Sequence, residues 1–145
     1  MKRLVYTIGT SKRTITEFIN LLQKYQIKTV IDVRRFPTSK IEHFQQKNLI
    51  THLARAGIQY RYLGKELGGY RTGGYEKYTS TPEYFQGITT LEKICAETTA
   101  AIMCAEIVPF RCHRRFITAT LKQRKWQVIH IITKDKIIMD KNLSI

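Results

Sequence analysis

Apolar positions along the chain follow two signatures, short continuous runs and stretches in which they recur every three or four residues. Leu4 to Ile8 is a run that ends at Gly9, and Thr14 with Glu17 then makes a capping box, so a strand, a turn and a helix are predicted in that order. Ile15, Phe18, Ile19 and Leu22 share one helical face, and the helix ends near Tyr25. Thr29 to Val33 is the second run, short and β-branched. Asp32, Arg34, Arg35 and Pro37 interrupt it, as expected where a buried parallel strand reaches its carboxyl end. A helix over Gln46 to Ala56 follows, with Leu49 and Leu53 inward and Gly57 as its stop, and Ile58 to Leu63 reads as a third strand.

The stretch from Gly64 to Ser80 carries Gly64, Gly68, Gly69, Gly73 and Gly74 among Lys, Arg and Tyr, and is predicted as a long loop. Thr81-Pro82-Glu83 opens a helix whose Tyr84, Ile88, Leu91 and Cys95 lie on one face. Ala100 to Cys104 is the fourth strand, His113 to about Lys125 the next helix and Val128 to Ile132 the fifth strand, with Lys136 to Met139 as a candidate edge strand. Strand and helix alternate without a linker or repeat, so residues 1–145 are expected to form a single α/β domain. The expected architecture is a three-layer αβα sandwich on a mostly parallel sheet of about five strands. In such sheets ligands bind beyond the carboxyl ends of the strands. That draws attention to Gly9, Thr10 and Ser11, to Asp32 and Arg34, to the glycine-rich loop, and to Cys104 with Glu106.

Composition narrows the class. A chain of 145 residues with 43% hydrophobic and 25% charged residues is globular rather than disordered or fibrous. Its apolar runs are too short for a membrane span or an export signal, so no membrane association is expected. Three cysteines without a secretory signal point to reduced thiols in the cytoplasm. A net charge of +14 favours polyanionic partners, nucleic acid or nucleotides first. Tyr60, Tyr62, Tyr70, Tyr75, Tyr78 and Tyr84 among Arg61, Lys65, Arg71 and Lys77 fit base stacking beside phosphate neutralisation, or equally a loop packed onto its domain.

The densest chemistry lies between Met103 and Arg115, where two thiols, a carboxylate, an imidazole and several guanidiniums stand between a strand end and a helix start. Cys112, at a helix N-terminus beside His113, Arg114 and Arg115, is expected to have a lowered pKa. Cys104 is either a reactive thiol or a small core residue. Glu106 either pairs with Arg111 or Arg114, or serves as a base or nucleophile. Asp32 and Arg34 straddle Val33 as an ion pair or an anion clamp. His130, within an apolar run, reads as a hydrogen-bonded core residue, and His43 and His52 as surface residues.

Spacing excludes several known sites. A thiol phosphatase loop sets five residues between Cys and Arg, whereas six separate Cys104 from Arg111. Seven residues between Cys104 and Cys112 rule out a Cys-x-x-Cys motif, although folding can still bring the two together. Adjacent Cys112 and His113 make a poor zinc pair, no nucleotide-binding glycine fingerprint appears, and no metal or cofactor is called for.

Thr7-Ile8-Gly9-Thr10-Ser11, Asp32-Val33-Arg34 with Pro37 and Ser39, Leu67-Gly68-Gly69 with Arg71, Met103-Cys104-Ala105-Glu106, Cys112-His113-Arg114 and His130-Ile131 resemble, nearly end to end, the domain-of-unknown-function 488 family. The resemblance implies a compact α/β fold and no assigned activity, and its shared positions lie along the edge already singled out. Thr10 stands where the family often has histidine, which leaves a proton-transfer role at that position unsupported.

Three readings follow. The first is an enzyme on a nucleotide, nucleic acid or other phosphate-bearing substrate. It would use Cys104, Glu106, Cys112 and His113 for chemistry, with Gly9, Thr10, Ser11, Asp32, Arg34, Gly68, Gly69, Arg71 and Arg114 binding the anion. The second is a non-catalytic nucleic-acid-binding module. The third is a redox sensor built on Cys104 and Cys112.

Overall fold

The computed structural model describes residues 3–140. A capping hydrogen bond starts the first helix: the Glu17 amide donates to Thr14 Oγ1 at 3.0 Å, which fixes α1 at Ile15–Lys24 immediately after β1, Leu4–Gly9. β2 (Thr29–Asp32), α2 (Gln46–Arg55) and β3 (Gln59–Tyr62) follow. Single helical turns α3 (Gly64–Leu67) and α4 (Tyr75–Tyr78) precede α5 (Pro82–Glu97), which Thr81 caps by accepting from the Tyr84 amide. β4 (Ala100–Cys104), α6 (Arg114–Gln123), β5 (Gln127–Thr133) and β6 (Lys136–Asp140) complete the order, with 3₁₀ turns at Glu42–Phe44 and Pro109–Arg111.

The sheet runs β3-β2-β4-β1-β5-β6, parallel except for β6, which pairs antiparallel with β5. Side-chain alternation in the strands divides the interior into two cores. Ile8, Val30, Ala101 and Met103 meet Phe18, Leu22, Leu49 and Leu53 of α1 and α2. Val5, Ile31, Ile102 and Val128 meet Ile88, Leu91, Ile117 and Leu121 of α5 and α6 on the opposite face. The result is the expected three-layer αβα architecture. β4, buried at every position, has both faces covered, which is why its sequence is continuously apolar.

The mostly parallel sheet of about five strands is present, and the candidate edge segment at Lys136 pairs with β5 as its sixth strand. Two expectations need correction. The stretch from Gly64 to Ser80 is not an open loop throughout. Leu67 is fully buried against Gly87 of α5, where an added Cβ would come within 2.8 Å of Leu67 Cδ2, and that anchor winds Gly64–Leu67 into a turn. Tyr75 and Tyr78 then donate their hydroxyls to the Leu67 and Glu66 carbonyls at 2.7 and 2.6 Å, so these two tyrosines pack the segment onto the domain. His43 and His52 are half-buried rather than on the surface, and the His43 ring packs edge-on against Phe44. Among the described residues no helix is long and apolar enough to cross a membrane.

The topology creates one opening. β2 connects through α2 to β3 on one side, while its neighbour β4 connects through α6 to β5 on the other. Chain leaving adjacent strands in opposite directions leaves a crevice above their carboxyl ends.

Candidate functional site

That crevice is a cleft of about 620 Å³. Chain following β2 (Arg34, Arg35, Phe36, Thr38) forms one wall, and chain following β4 (Cys104 to Glu106, Arg111 to His113) forms the other. Gly69, Tyr70 and Tyr75 of the glycine-rich stretch close its end. Of the candidate residues, Cys104, Glu106, Cys112, His113, Arg34 and Gly69 line this one space.

Cys104 ends β4 and is 2% exposed, and Cys112 is extended residue between the 3₁₀ turn and α6. Their sulfurs lie 3.3 Å apart, the distance of a thiol donating to a sulfur acceptor rather than of a disulfide. The Arg114 amide, at the start of α6, also donates to the Cys112 sulfur at 3.4 Å. The proton therefore resides on Cys104 and the charge on Cys112. The Cys104 hydrogen bond, with help from the Arg114 charge and amide, lowers the Cys112 pKa to about 6 against an opposing effect of burial. The same hydrogen bond and burial hold Cys104 well above the usual thiol range. A lowered Cys112 was expected from flanking cations, but its buried partner contributes most. Cys95, pushed up to about 12 chiefly by burial, is inert by comparison.

Arg114 is fully buried. Its guanidinium donates to the Glu106 and Ile107 carbonyls at 2.8 and 3.0 Å and to Thr7 Oγ1 at 3.3 Å, and Thr7 Oγ1 is 2.6 Å from Nδ1 of the buried His130. Arg114 Nε finds no partner among the described residues. A buried guanidinium held by neutral acceptors needs a compensating charge, and the Cys112 thiolate supplies it. Arg114 thus takes the backbone of Glu106 and not its carboxylate. That carboxylate instead accepts from the Val108 amide at 3.3 Å, bracing the turn that follows β4.

His113 Nε2 is 3.1 Å from the Val33 carbonyl, and because a carbonyl only accepts, Nε2 carries the hydrogen and Nδ1 is the basic nitrogen. Burial lowers the His113 pKa, so the ring is neutral at pH 7. The ring also lies beside Gly69, where an added Cβ would come within 3.3 Å of Nδ1. Gly9 matters for a similar reason: a Cβ there would sit 2.2 Å from the Glu106 carbonyl, so only glycine lets the turn after β4 rest on the end of β1.

The remaining candidates lie around the cleft and act on its walls. The Thr10 and Ser11 amides donate to the Cys104 and Ala105 carbonyls at 2.9 and 2.8 Å, prolonging the β1–β4 ladder. Asp32 and Arg34 form a buried two-pronged ion pair at 2.9 and 2.8 Å, Arg34 also donates to the Phe44 carbonyl, and Tyr60 donates to Asp32 at 2.6 Å. Gly68 accepts from Arg71 Nε at 2.8 Å, and Arg71 also reaches the Lys65 carbonyl and lies 4.0 Å over the Tyr78 ring. Arg34, Arg71 and Arg114 therefore direct their donors to protein acceptors. The Arg111 side chain, exposed on the cleft wall, has no partner among the described residues. Phe36 was absent from the candidate set, and its signal was an apolar ring placed among polar residues directly behind a strand end. No group of three or more potential metal ligands occurs among the described residues.

A family model described as "Domain of unknown function DUF488" matches residues 14–121, from the cap of α1 to α6. The match includes both cleft cysteines and leaves the motifs at Thr7 to Ser11 and at His130 outside its limits. No curated protein and no solved structure matches the chain. With most of its length inside the matched span, the chain belongs to the DUF488 family.

Proposed function

We propose that the protein carries out dithiol redox chemistry, with Cys112 as the attacking thiolate and Cys104 as the resolving thiol. The observation that supports this reading is the 3.3 Å sulfur contact joining a thiol near pKa 6 at the cleft to a buried partner shifted the opposite way. Toward a disulfide substrate, the Cys112 thiolate forms a bond to one substrate sulfur as the substrate disulfide breaks. The departing thiolate takes the Cys104 proton. The Cys104 thiolate then bonds to the Cys112 sulfur and displaces the second substrate sulfur as a thiolate, which takes its proton from water. The substrate gains two electrons and one proton from the pair and a second proton from solvent, and the protein is left with a Cys104–Cys112 disulfide. A reducing compartment such as the cytoplasm would return the pair to the dithiol.

Phosphoryl or glycosyl transfer is less well supported, because Arg34, Arg71 and Arg114 are committed to protein acceptors and Glu106 to its own turn. The net charge of +14 favours a second reading, a nucleic-acid-binding module in which the cysteines only fill space.

The test is exposure of the reduced protein to oxidised glutathione followed by peptide mapping. The dithiol reading expects loss of two hydrogens and a Cys104–Cys112 linkage with Cys95 free. A stable glutathione adduct on Cys112 without that linkage would refute resolution by Cys104. Inert thiols with salt-dependent RNA or DNA binding would favour the second reading.

A further inference from the structure

We infer that the mouth of the cleft is a stacking site for a free nucleotide-like ligand, a planar heteroaromatic ring bearing a phosphate. The inference does not rest on the dithiol chemistry. Tyr70 is 86% exposed and Phe36 61% exposed, and their rings, 6.0 Å apart and inclined at 36°, stand at the rim of the same cleft. Two large rings held in solvent on a rigid domain need an account. The Tyr70 backbone sharpens it, because Tyr70 adopts φ 61°, a left-handed conformation that a bulky side chain rarely takes. Neighbouring bonds impose it: Arg35 donates to the Tyr70 carbonyl at 2.8 Å, and Arg71 ties Gly68 on the other side of Gly69. Strain maintained by its surroundings is characteristic of ligand clamps.

The charge on the rim identifies the occupant. The Arg35 guanidinium lies 5.7 Å from the Phe36 ring centroid while bonding the Tyr70 carbonyl, so one cation joins both ring-bearing segments. The Arg111 side chain, without a partner among the described residues, belongs to the opposite wall of the same space. Rings that stack a base and guanidiniums that meet a phosphate are the usual pairing for nucleotides. A bounded cleft of about 620 Å³ matches a small ligand better than the open groove that tracks a polynucleotide. A phosphate beside Arg111 would place the ligand next to Cys112 and His113.

Titration calorimetry on the reduced full chain tests this with adenosine monophosphate, adenosine, inorganic phosphate and a single-stranded oligonucleotide as probes. The nucleotide is expected to bind at least tenfold more tightly than adenosine or phosphate alone. Tyr70→Ala, Phe36→Ala and Arg111→Ala should each weaken it about tenfold or more, with unchanged melting temperatures. Nucleotide binding no tighter than that of inorganic phosphate, or indifferent to all three substitutions, would overturn the inference. So would tight oligonucleotide binding with none for the mononucleotide. Binding is measured here and disulfide formation in the glutathione experiment, so either reading can fail while the other stands.

Discussion

Replacing Cys104 with Ala removes the donor that contributes most to the low pKa of Cys112 while leaving the Arg114 amide and charge in place. A hydrogen bond to a charged group is worth about 1.5–3 kcal/mol. At about 1.4 kcal/mol per pH unit, its loss raises the Cys112 midpoint from about 6 to between about 7 and 8. The assay is the rate of iodoacetamide alkylation from pH 5 to 10, resolved by peptide mass spectrometry, with the buried Cys95 as internal control. The midpoint is the informative quantity and not the rate at one pH. A thiolate of lower pKa is more abundant but also less nucleophilic, with a Brønsted slope of about 0.4–0.5, so the two effects partly cancel at neutrality. A wild-type midpoint at or above 8 would refute the thiol–thiolate arrangement. A Cys104→Ala midpoint unchanged near 6 would show that the cations and the helix end suffice, and that the sulfur contact is incidental.

Other consequences are open to measurement. Cys112 has a depressed folded-state pKa, so it adds stability that is fully present above its unfolded value and is lost as pH falls through about 6. Urea midpoints should therefore decline between pH 9 and 6 in the wild type, and much less in Cys112→Ser. Arg114→Met removes a buried charge together with its bonds to Glu106, Ile107 and Thr7, and should lower unfolding stability by about 2–4 kcal/mol and raise the Cys112 midpoint. An unchanged midpoint would contradict the charge compensation argued for this pair. Gly9→Ala must displace the turn after β4 and is expected to cost about 1–3 kcal/mol by denaturant titration, whereas Gly57→Ala meets no neighbour and is strained only by its φ of 75°. Tyr60→Phe leaves Asp32 short of one donor and should cost about 1–3 kcal/mol.

What could be read from the residues was mostly local. The Thr14 and Glu17 pair, the Thr81-Pro82-Glu83 start and the continuous apolar run of β4 each announce an element through bonds made within a few residues. The Asp32 and Arg34 pairing is also local, since residues two apart lie on one side of extended chain. The redox reading paired Cys104 with Cys112, but no spacing rule joins them and the sulfur contact itself is set by the fold. It arises from a 3₁₀ turn at Pro109–Arg111 that folds the start of α6 back onto the end of β4. The partner of Arg114 was equally hidden. Charge alone points it at the Glu106 carboxylate, but the tight turn that Gly9 permits presents carbonyls to the interior, and the guanidinium takes those. Tyr70 stood among the tyrosines that fit base stacking, and Phe36 joined it only once the chain placed their rings side by side.

The location of the two sulfurs also fixes the order in which a reagent meets them. Cys104 closes a strand paired on both sides, to β1 and β2, and its carbonyl is held by the Thr10 amide. Freeing it requires breaking sheet hydrogen bonds, the motion with the highest opening free energy in such a domain. Cys112 sits outside the sheet, in the short connection between the 3₁₀ turn and α6. With an alkylating reagent, whose adduct Cys104 cannot displace, native protein should therefore accumulate single adducts at Cys112 alone, and alkylation of Cys104 should proceed at the pace of global unfolding, which makes its labelling rate a clock for the stability of the whole sheet.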